Sequence, residues 1–160
     1  MKIALTGHRP HKLGKEYSCF GPVSDKIKIK LQDFIDNHKT EITTGISGMA
    51  LGADTIWALS CLHNEIPLIA AIPFEGQELK WPKDRQVVYH SILGYDIVTI
   101  KYVCDPGYAP WKMQKRNEWM VDNCDLLIAV WDGSEGGTSN CIKYASKKGR
   151  KIHYINPKDF

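Results

Sequence analysis

The chain alternates short apolar runs with longer amphipathic stretches from end to end. Ile3-Ala4-Leu5 reads as a short strand that stops at Thr6-Gly7. Residues 23–37 place Ile27, Leu31, Phe34 and Ile35 at helical spacing with charges between them, which predicts an amphipathic helix. Glu41-Ile42-Thr43-Thr44 reads as the second strand. Residues 50–64, with Ile56, Leu59 and Leu62 on one face, predict the second helix. The run from Pro67 to Ile72, closed by Pro73, has the continuous apolar character of a strand buried on both faces. A helix over 82–93 and a strand over Asp96-Ile97-Val98-Thr99-Ile100 follow. The next helix, 109–123, opens on Pro110, near a first turn where a missing N–H does no harm. Asp125 to Trp131 is the most apolar strand, Thr138 to Lys148 a helix stopped by Gly149, and residues 151–155 a last strand ended by Asn156-Pro157.

Strands alternating with helices imply parallel βαβ units with right-handed crossovers. The expectation is a single α/β domain over residues 1–160, an open, mostly parallel, doubly wound sheet with helices on both faces. Ligands of such sheets bind beyond the carboxyl ends of the strands, near the topological switch point. That rule selects five loops: Thr6 to Gly14, Gly45 to Asp54, Pro73 to Trp81, Tyr102 to Pro110, and Trp131 to Thr138.

Composition narrows the function classes. With 160 residues, 43% of them hydrophobic, the chain can bury a core without staples. The net charge of +3 is mild for a nucleic-acid binder. The basic clusters Lys26-Lys28-Lys30 and Lys147-Lys148-Arg150-Lys151 read as solvated helix positions. The five cysteines, Cys19, Cys61, Cys104, Cys124 and Cys141, are odd in number and never spaced C-x-x-C. That argues against a disulfide framework or a zinc site and for a reducing compartment. No stretch approaches the roughly 18 apolar residues of a membrane span. The expected location is cytoplasmic, with no membrane partner, and the residues call for no cofactor and no metal.

The most informative loop is Asp132-Gly133-Ser134-Glu135-Gly136-Gly137-Thr138. Its glycines let backbone N–H groups approach a ligand, the following helix adds a positive dipole end, and Thr138 offers a hydroxyl to a phosphate oxygen. The plainer role is a tight turn with Thr138 or Ser139 as helix cap. Ser47-Gly48-Met49-Ala50-Leu51-Gly52-Ala53-Asp54 repeats the arrangement after another strand, though it is neither a G-x-G-x-x-G nor a P-loop. Asp54 either complements the helix dipole or contacts a ribose hydroxyl. In Thr6-Gly7-His8-Arg9-Pro10, Arg9 offers a fork for phosphate, and His8 is a donor or an acid–base group. Arg116-Asn117 reaches the same mouth from its helix, and Phe74, Glu75 and Trp81 suit a rim that stacks a base.

These residues resemble the YpsA-like branch of the SLOG superfamily. The resemblance runs through Thr6 to Pro10 with Leu13-Gly14, Ser47 to Asp54 with Trp57-Ala58, Pro73-Phe74-Glu75 with Trp81, Gln114-Lys115-Arg116-Asn117, Met120-Val121 and Asp125. It ends in the Asp132 to Thr138 loop. It implies a Rossmann-like fold and binding of a nucleotide or nucleotide derivative at the loops already chosen. The LOG-type phosphoribohydrolases of that superfamily carry a Pro-Gly-Gly-x-Gly-Thr-x-x-Glu motif with a catalytic glutamate. Aligning its Gly-Thr with Gly137-Thr138 puts Cys141 at the glutamate position, so the resemblance keeps a phosphate site while removing the expected acid.

Three readings follow. The first is a non-catalytic module that senses or sequesters a phosphate-bearing nucleotide-like small molecule. The second is a nucleotide N-glycosidase with Asp54, Glu75 or Glu135 as substitute carboxylate. The third is single-stranded nucleic-acid binding in the manner of DprA, which the modest charge disfavours. Homo-oligomers are common in the superfamily. Trp57, Trp111 and Trp119 are candidates for an interface, with a place in the core as the simpler role.

Overall fold

The computed structural model describes residues 1–13 and 21–160; Gly14 and Cys19 lie outside the described residues. The strands are β1 (Lys2–Gly7), β2 (Thr44–Ser47), β3 (Leu68–Ile72), β4 (Val98–Tyr102), β5 (Leu126–Val130) and β6 (Lys151–Ile155). Between them run α1 (Pro22–Asn37), α2 (Ala53–His63), α3 (Lys83–Leu93), α4 (Pro110–Asp122) and α5 (Gly137–Lys147). A 3-10 turn, Pro10–Lys12, follows β1, and another, Pro157–Asp159, follows β6.

Alternation within the strands explains the layers. Ile3 and Leu5 of β1 face one way and join Ile27, Leu31 and Phe34 of α1 and Ile56 and Trp57 of α2. Ala4 faces the other way and meets a smaller core with Ile46, Ala71 and Leu127, closed by Met120 and Val121 of α4 and Cys141 and Ala145 of α5. Burying each large apolar side chain contributes about 1.5–3 kcal/mol. Trp57 is fully buried and Trp119 packs on the smaller core, whereas Trp111 is exposed.

All strands pair in parallel, in the order β4-β3-β2-β1-β5-β6. The chain steps from β1 outward to β4, then crosses back through α4 to put β5 on the other side of β1. The β1–β5 boundary is therefore the switch point. At its far end Lys2 N donates to Asp125 Oδ2 at 2.7 Å and Asp125 N donates to Lys2 O at 2.8 Å. Among the described residues no helix is long and apolar enough to cross a membrane.

Two strands lie further along the chain than their sequence predicts. The second begins at Thr44, not Glu41, while Thr43 N donates to Met1 O at 2.9 Å. Its residues, Thr-Gly-Ile-Ser, carry no apolar run, because a side chain at Gly45 would meet Cys61 Sγ of α2 at 2.5 Å. The fourth covers 98–102 rather than 96–100. It is an edge strand and mostly exposed, so burial does not mark its ends.

At the switch point β1 and α2 touch. A Cβ on Gly7 would lie 2.4 Å from Ala53 Cβ and 3.0 Å from Val130 Cβ. Overpacking of this kind costs about 1–3 kcal/mol. Gly7→Ala is therefore expected to lower the denaturant-unfolding free energy by about that amount. Gly137→Ala, whose Cβ meets nothing within 4 Å, is expected to stay within about 0.5 kcal/mol of the wild type. Equal stability of the two variants would contradict the close approach.

Candidate functional site

Beyond the carboxyl ends of β1 and β5 lies a cavity of about 340 Å³. Thr6, Gly7, His8 and Arg9 line it from β1, followed by His11 and Lys12 of the 3-10 turn. Ala50 and Asp54 come from the β2–α2 connection, and Met113, Arg116 and Asn117 from α4. The fourth wall is Ser134, Glu135, Gly136, Gly137 and Thr138, entering α5.

That wall has the properties of an anion cradle. Gly136 is the N-cap at φ 145°, a backbone that side chains rarely adopt. Its N–H donates to Ser139 Oγ at 2.9 Å, and Ser139 Oγ donates to Gly136 O at 2.8 Å. Ser139 therefore satisfies the cap, and the Thr138 hydroxyl has no hydrogen-bond partner among the described residues. The N–H groups of Gly137 and Thr138 belong to the first helical turn, which has no internal acceptors, and they carry the positive end of the helix dipole. The loop before them is held firmly. Ser134 N donates to Asp132 Oδ1 at 2.9 Å, Trp131 Nε1 to Ser134 O at 2.7 Å, and Lys12 Nζ to Ser134 Oγ at 2.6 Å.

The floor holds two buried charged side chains. Arg116 donates through Nη1 to Gly48 O and through Nε to Asn117 Oδ1 at 2.9 Å. Asp54 Oδ2 accepts from Ala50 N at 3.2 Å. Burial raises the Asp54 carboxyl above its ordinary range, opposed by the Arg116 charge. Burial also lowers the Arg116 guanidinium, opposed by Asp54. Ser47, Gly48 and Gly52, proposed from sequence as ligand contacts, lie outside the cavity lining and build its frame. Ser47 Oγ donates to Asp54 O at 2.8 Å and accepts from Met49 N at 3.1 Å. Gly52 adopts φ 93°, where a Cβ would meet His8 O at 2.5 Å.

His8 and Asp132 form the remaining polar unit. His8 Nε2 lies 2.9 Å from both Asp132 N and Asp132 Oδ1. With Nε2 unprotonated the ring accepts from the Asp132 N–H, and with Nε2 protonated it donates to the Asp132 carboxylate. Burial holds the His8 imidazole below its ordinary 6.5, partly offset by the Asp132 charge. Hydrogen bonds from the Ser134 hydroxyl and N–H, with His8, hold the Asp132 carboxyl well below the usual range. Asp132 and Gly133 lie outside the lining, and Asp132 acts on the cavity through His8.

Phe74, Glu75 and Trp81 are not brought to this cavity. Phe74 is buried against Tyr108, Glu75 is exposed, and Trp81 packs edge-on against Tyr89 of α3. Cys141 is fully buried behind Thr6, its thiol pushed up to about 12 by burial. His11, Lys12, Ala50 and Met113 were not singled out from the sequence. Met113 lies three residues before Arg116 and so shares its helix face. Lys12 lies three residues after Arg9, one 3-10 turn on.

The model of the YspA SLOG family, YpsA, matches residues 3–160. The chain belongs to this family. The resemblance carried by the Thr6, Ser47 and Asp132 loops is thereby borne out. The SPbeta prophage-derived protein YoqJ of Bacillus subtilis (strain 168) is 36% identical over 155 residues, covering 85% of this chain and 91% of that protein. Among solved structures, DNA processing protein A of Streptococcus pneumoniae aligns with TM-score 0.70 at 21% identity, over 96% of this chain and 50% of its own. The Helicobacter pylori protein, described for its single-stranded DNA binding mode, aligns with TM-score 0.67 at 19% identity, over 96% and 64%. The chain thus spans half to just under two thirds of these two structures, and the likeness establishes a shared Rossmann-like fold.

The His8 unit yields a signed expectation. A lowered histidine pKa favours the folded state above pH 6.5, and that contribution is lost as the pH falls through the folded value. NMR titration should find His8 below 6.5, and Asp132→Asn should move it lower still by removing the carboxylate that raises it. A rise in the variant would contradict this account.

Proposed function

We propose that the protein binds a phosphate-bearing nucleotide or nucleotide-derived signalling molecule in the switch-point cavity and senses or sequesters it without turnover. The observation that carries this reading is the α5 N-terminus, whose free Gly137 and Thr138 N–H groups and Thr138 hydroxyl face a cavity also lined by Arg9, Lys12 and Arg116. These cations outnumber the carboxylates of Asp54 and Glu135. A helix N-terminus flanked by guanidinium and ammonium groups suits a phosphate, and a pocket of this volume suits a small molecule.

Support for binding without chemistry comes from Cys141, which lies sealed behind the cavity wall. Glu135 is exposed, with Oε2 3.6 Å from Lys143 Nζ. A second reading, N-glycosidic cleavage, draws on Asp54, a cavity carboxyl whose pKa burial raises as a general acid requires. Chromatography of nucleotides after incubation separates the two readings: released base favours the second and intact nucleotide the first.

Calorimetry with a panel of nucleotides, guided by the mass of any molecule released on heating the purified protein, tests the first reading. Saturable binding is expected, weakened about tenfold or more by Lys12→Ala or Arg9→Ala, since a hydrogen bond to a charged group contributes about 1.5–3 kcal/mol. Failure of every nucleotide to bind would overturn it.

A further inference from the structure

The two edges of the sheet differ. β6 exposes one large apolar side chain, Tyr154, and a 3-10 turn opening on Pro157 follows it. β4 contains no proline or glycine, and Lys101 is its only charge. Edge strands that stay single carry more than this to block pairing. Six of the ten exposed large apolar side chains among the described residues lie within 95–111: Tyr95, Ile97, Ile100, Tyr102, Tyr108 and Trp111. The last two flank a loop held from within, because Lys112 Nζ donates to Asp105 O at 2.8 Å, Pro106 O at 3.2 Å and Gly107 O at 2.7 Å.

Parallel pairing fixes which way the β4 backbone faces. Leu68 N donates to Ile97 O at 2.9 Å and Val103 N to Ile72 O at 2.8 Å, so the odd-numbered residues turn their N–H and C=O toward β3. Ile100 and Tyr102 therefore turn theirs away from the sheet. Val98 also faces outward, with its N–H taken by Tyr95 O at 3.0 Å and its carbonyl open. Among the described residues no strand pairs with that side.

A second copy of the same edge matches it. Two antiparallel β4 strands about a twofold axis set Ile100 opposite Ile100 of the other copy. Both backbone groups of Ile100 point outward, so this pair exchanges two hydrogen bonds, and each Tyr102 N–H reaches the Val98 carbonyl of the other copy. Thr99 then stands opposite Lys101, so no like charges meet, and Tyr102 opposite Val98 continues an apolar row on one face. An axis at Lys101 would instead oppose two ammonium groups and use backbone that β3 already holds. The four exposed rings of this flank are 44–71% exposed. At about 200 Å² a ring, they leave roughly 450 Å² of aromatic surface in water. That is more than half of the about 800 Å² that one partner gives to a standard interface.

We propose that β4 is the interface of a homodimer in which two six-stranded sheets join edge to edge, antiparallel about Ile100, into one continuous sheet. The inference is independent of the anion site.

Sedimentation equilibrium over a concentration series tests it, using the wild type and variants at exposed positions of β4. The wild type should dimerise reversibly. Ile100→Pro removes an outward N–H that β3 does not use, and should be monomeric while still unfolding cooperatively on heating. Thr99→Lys, facing Lys101, should weaken the dimer about threefold or more, and Thr99→Glu should tighten it by a similar factor. Hydrogen exchange should find the Ile100 and Tyr102 amides protected in concentrated protein and fast in dilute protein. A wild type that is monomeric at every concentration would overturn the inference, as would a dimer that Ile100→Pro leaves intact. If Ile100→Pro does not fold, the Thr99 variants decide: opposite signs support the register and equal effects overturn it.

Discussion

Arg116 lies almost wholly inside the protein, and its guanidinium ties α4 to the connection between β2 and α2 through the carbonyl of Gly48. Removing such a charge from water costs several kcal/mol unless hydrogen bonds and an opposite charge meet it. Asn117, Gly48 and the nearby Asp54 supply them. The arrangement fixes the floor of the cavity, because Asp54 is in turn held by Ala50 N, and its backbone carbonyl by the Ser47 hydroxyl. The crossover through α4 is what makes this possible. It brings a helix formed after β4 back over the centre of the sheet, beside the ends of β1 and β5.

Around that floor the walls differ in chemistry. The α5 wall offers backbone N–H groups and a hydroxyl, fixed by a turn in which Asp132, Ser134 and Trp131 hold one another. The β1 wall offers long cationic side chains, of which Lys12 already reaches across to Ser134. His8 joins the two walls through Asp132, whose backbone N and Oδ1 both lie 2.9 Å from His8 Nε2. In the proposed reading an anion here is met by the fixed dipoles at the start of α5 and by the charges of Arg9 and Lys12.

The alternation of strands and helices was legible because each buried strand, β3 and β5 above all, is an apolar run of the right length. The start of β2 is displaced in the sequence pattern because two of its three buried positions, Gly45 and Ser47, are shaped by contact with α2 and not by hydrophobicity. Of the site, the loops after β1 and β5 were legible from their glycines and their place in a doubly wound sheet. Phe74, Glu75 and Trp81 are drawn in by the carboxyl-end rule and the family resemblance together with their aromatic and acidic character, but β3 lies two strands from the switch point, Phe74 and Trp81 pack on other rings, and Glu75 is exposed. Lys12 escaped notice because a lysine in a loop carries no periodic signal. Only the fold places it opposite Ser134.

The most direct test of a phosphate cradle at the start of α5 is a residue-resolved map of amide chemical shifts as inorganic phosphate or a nucleoside monophosphate is added. The largest and saturable changes should fall on Gly136, Gly137 and Thr138, with smaller ones at Thr6, Gly7 and Arg9. Saturable shifts confined to other surfaces, such as the β4 edge or α3, with the α5 amides unmoved, would contradict the account.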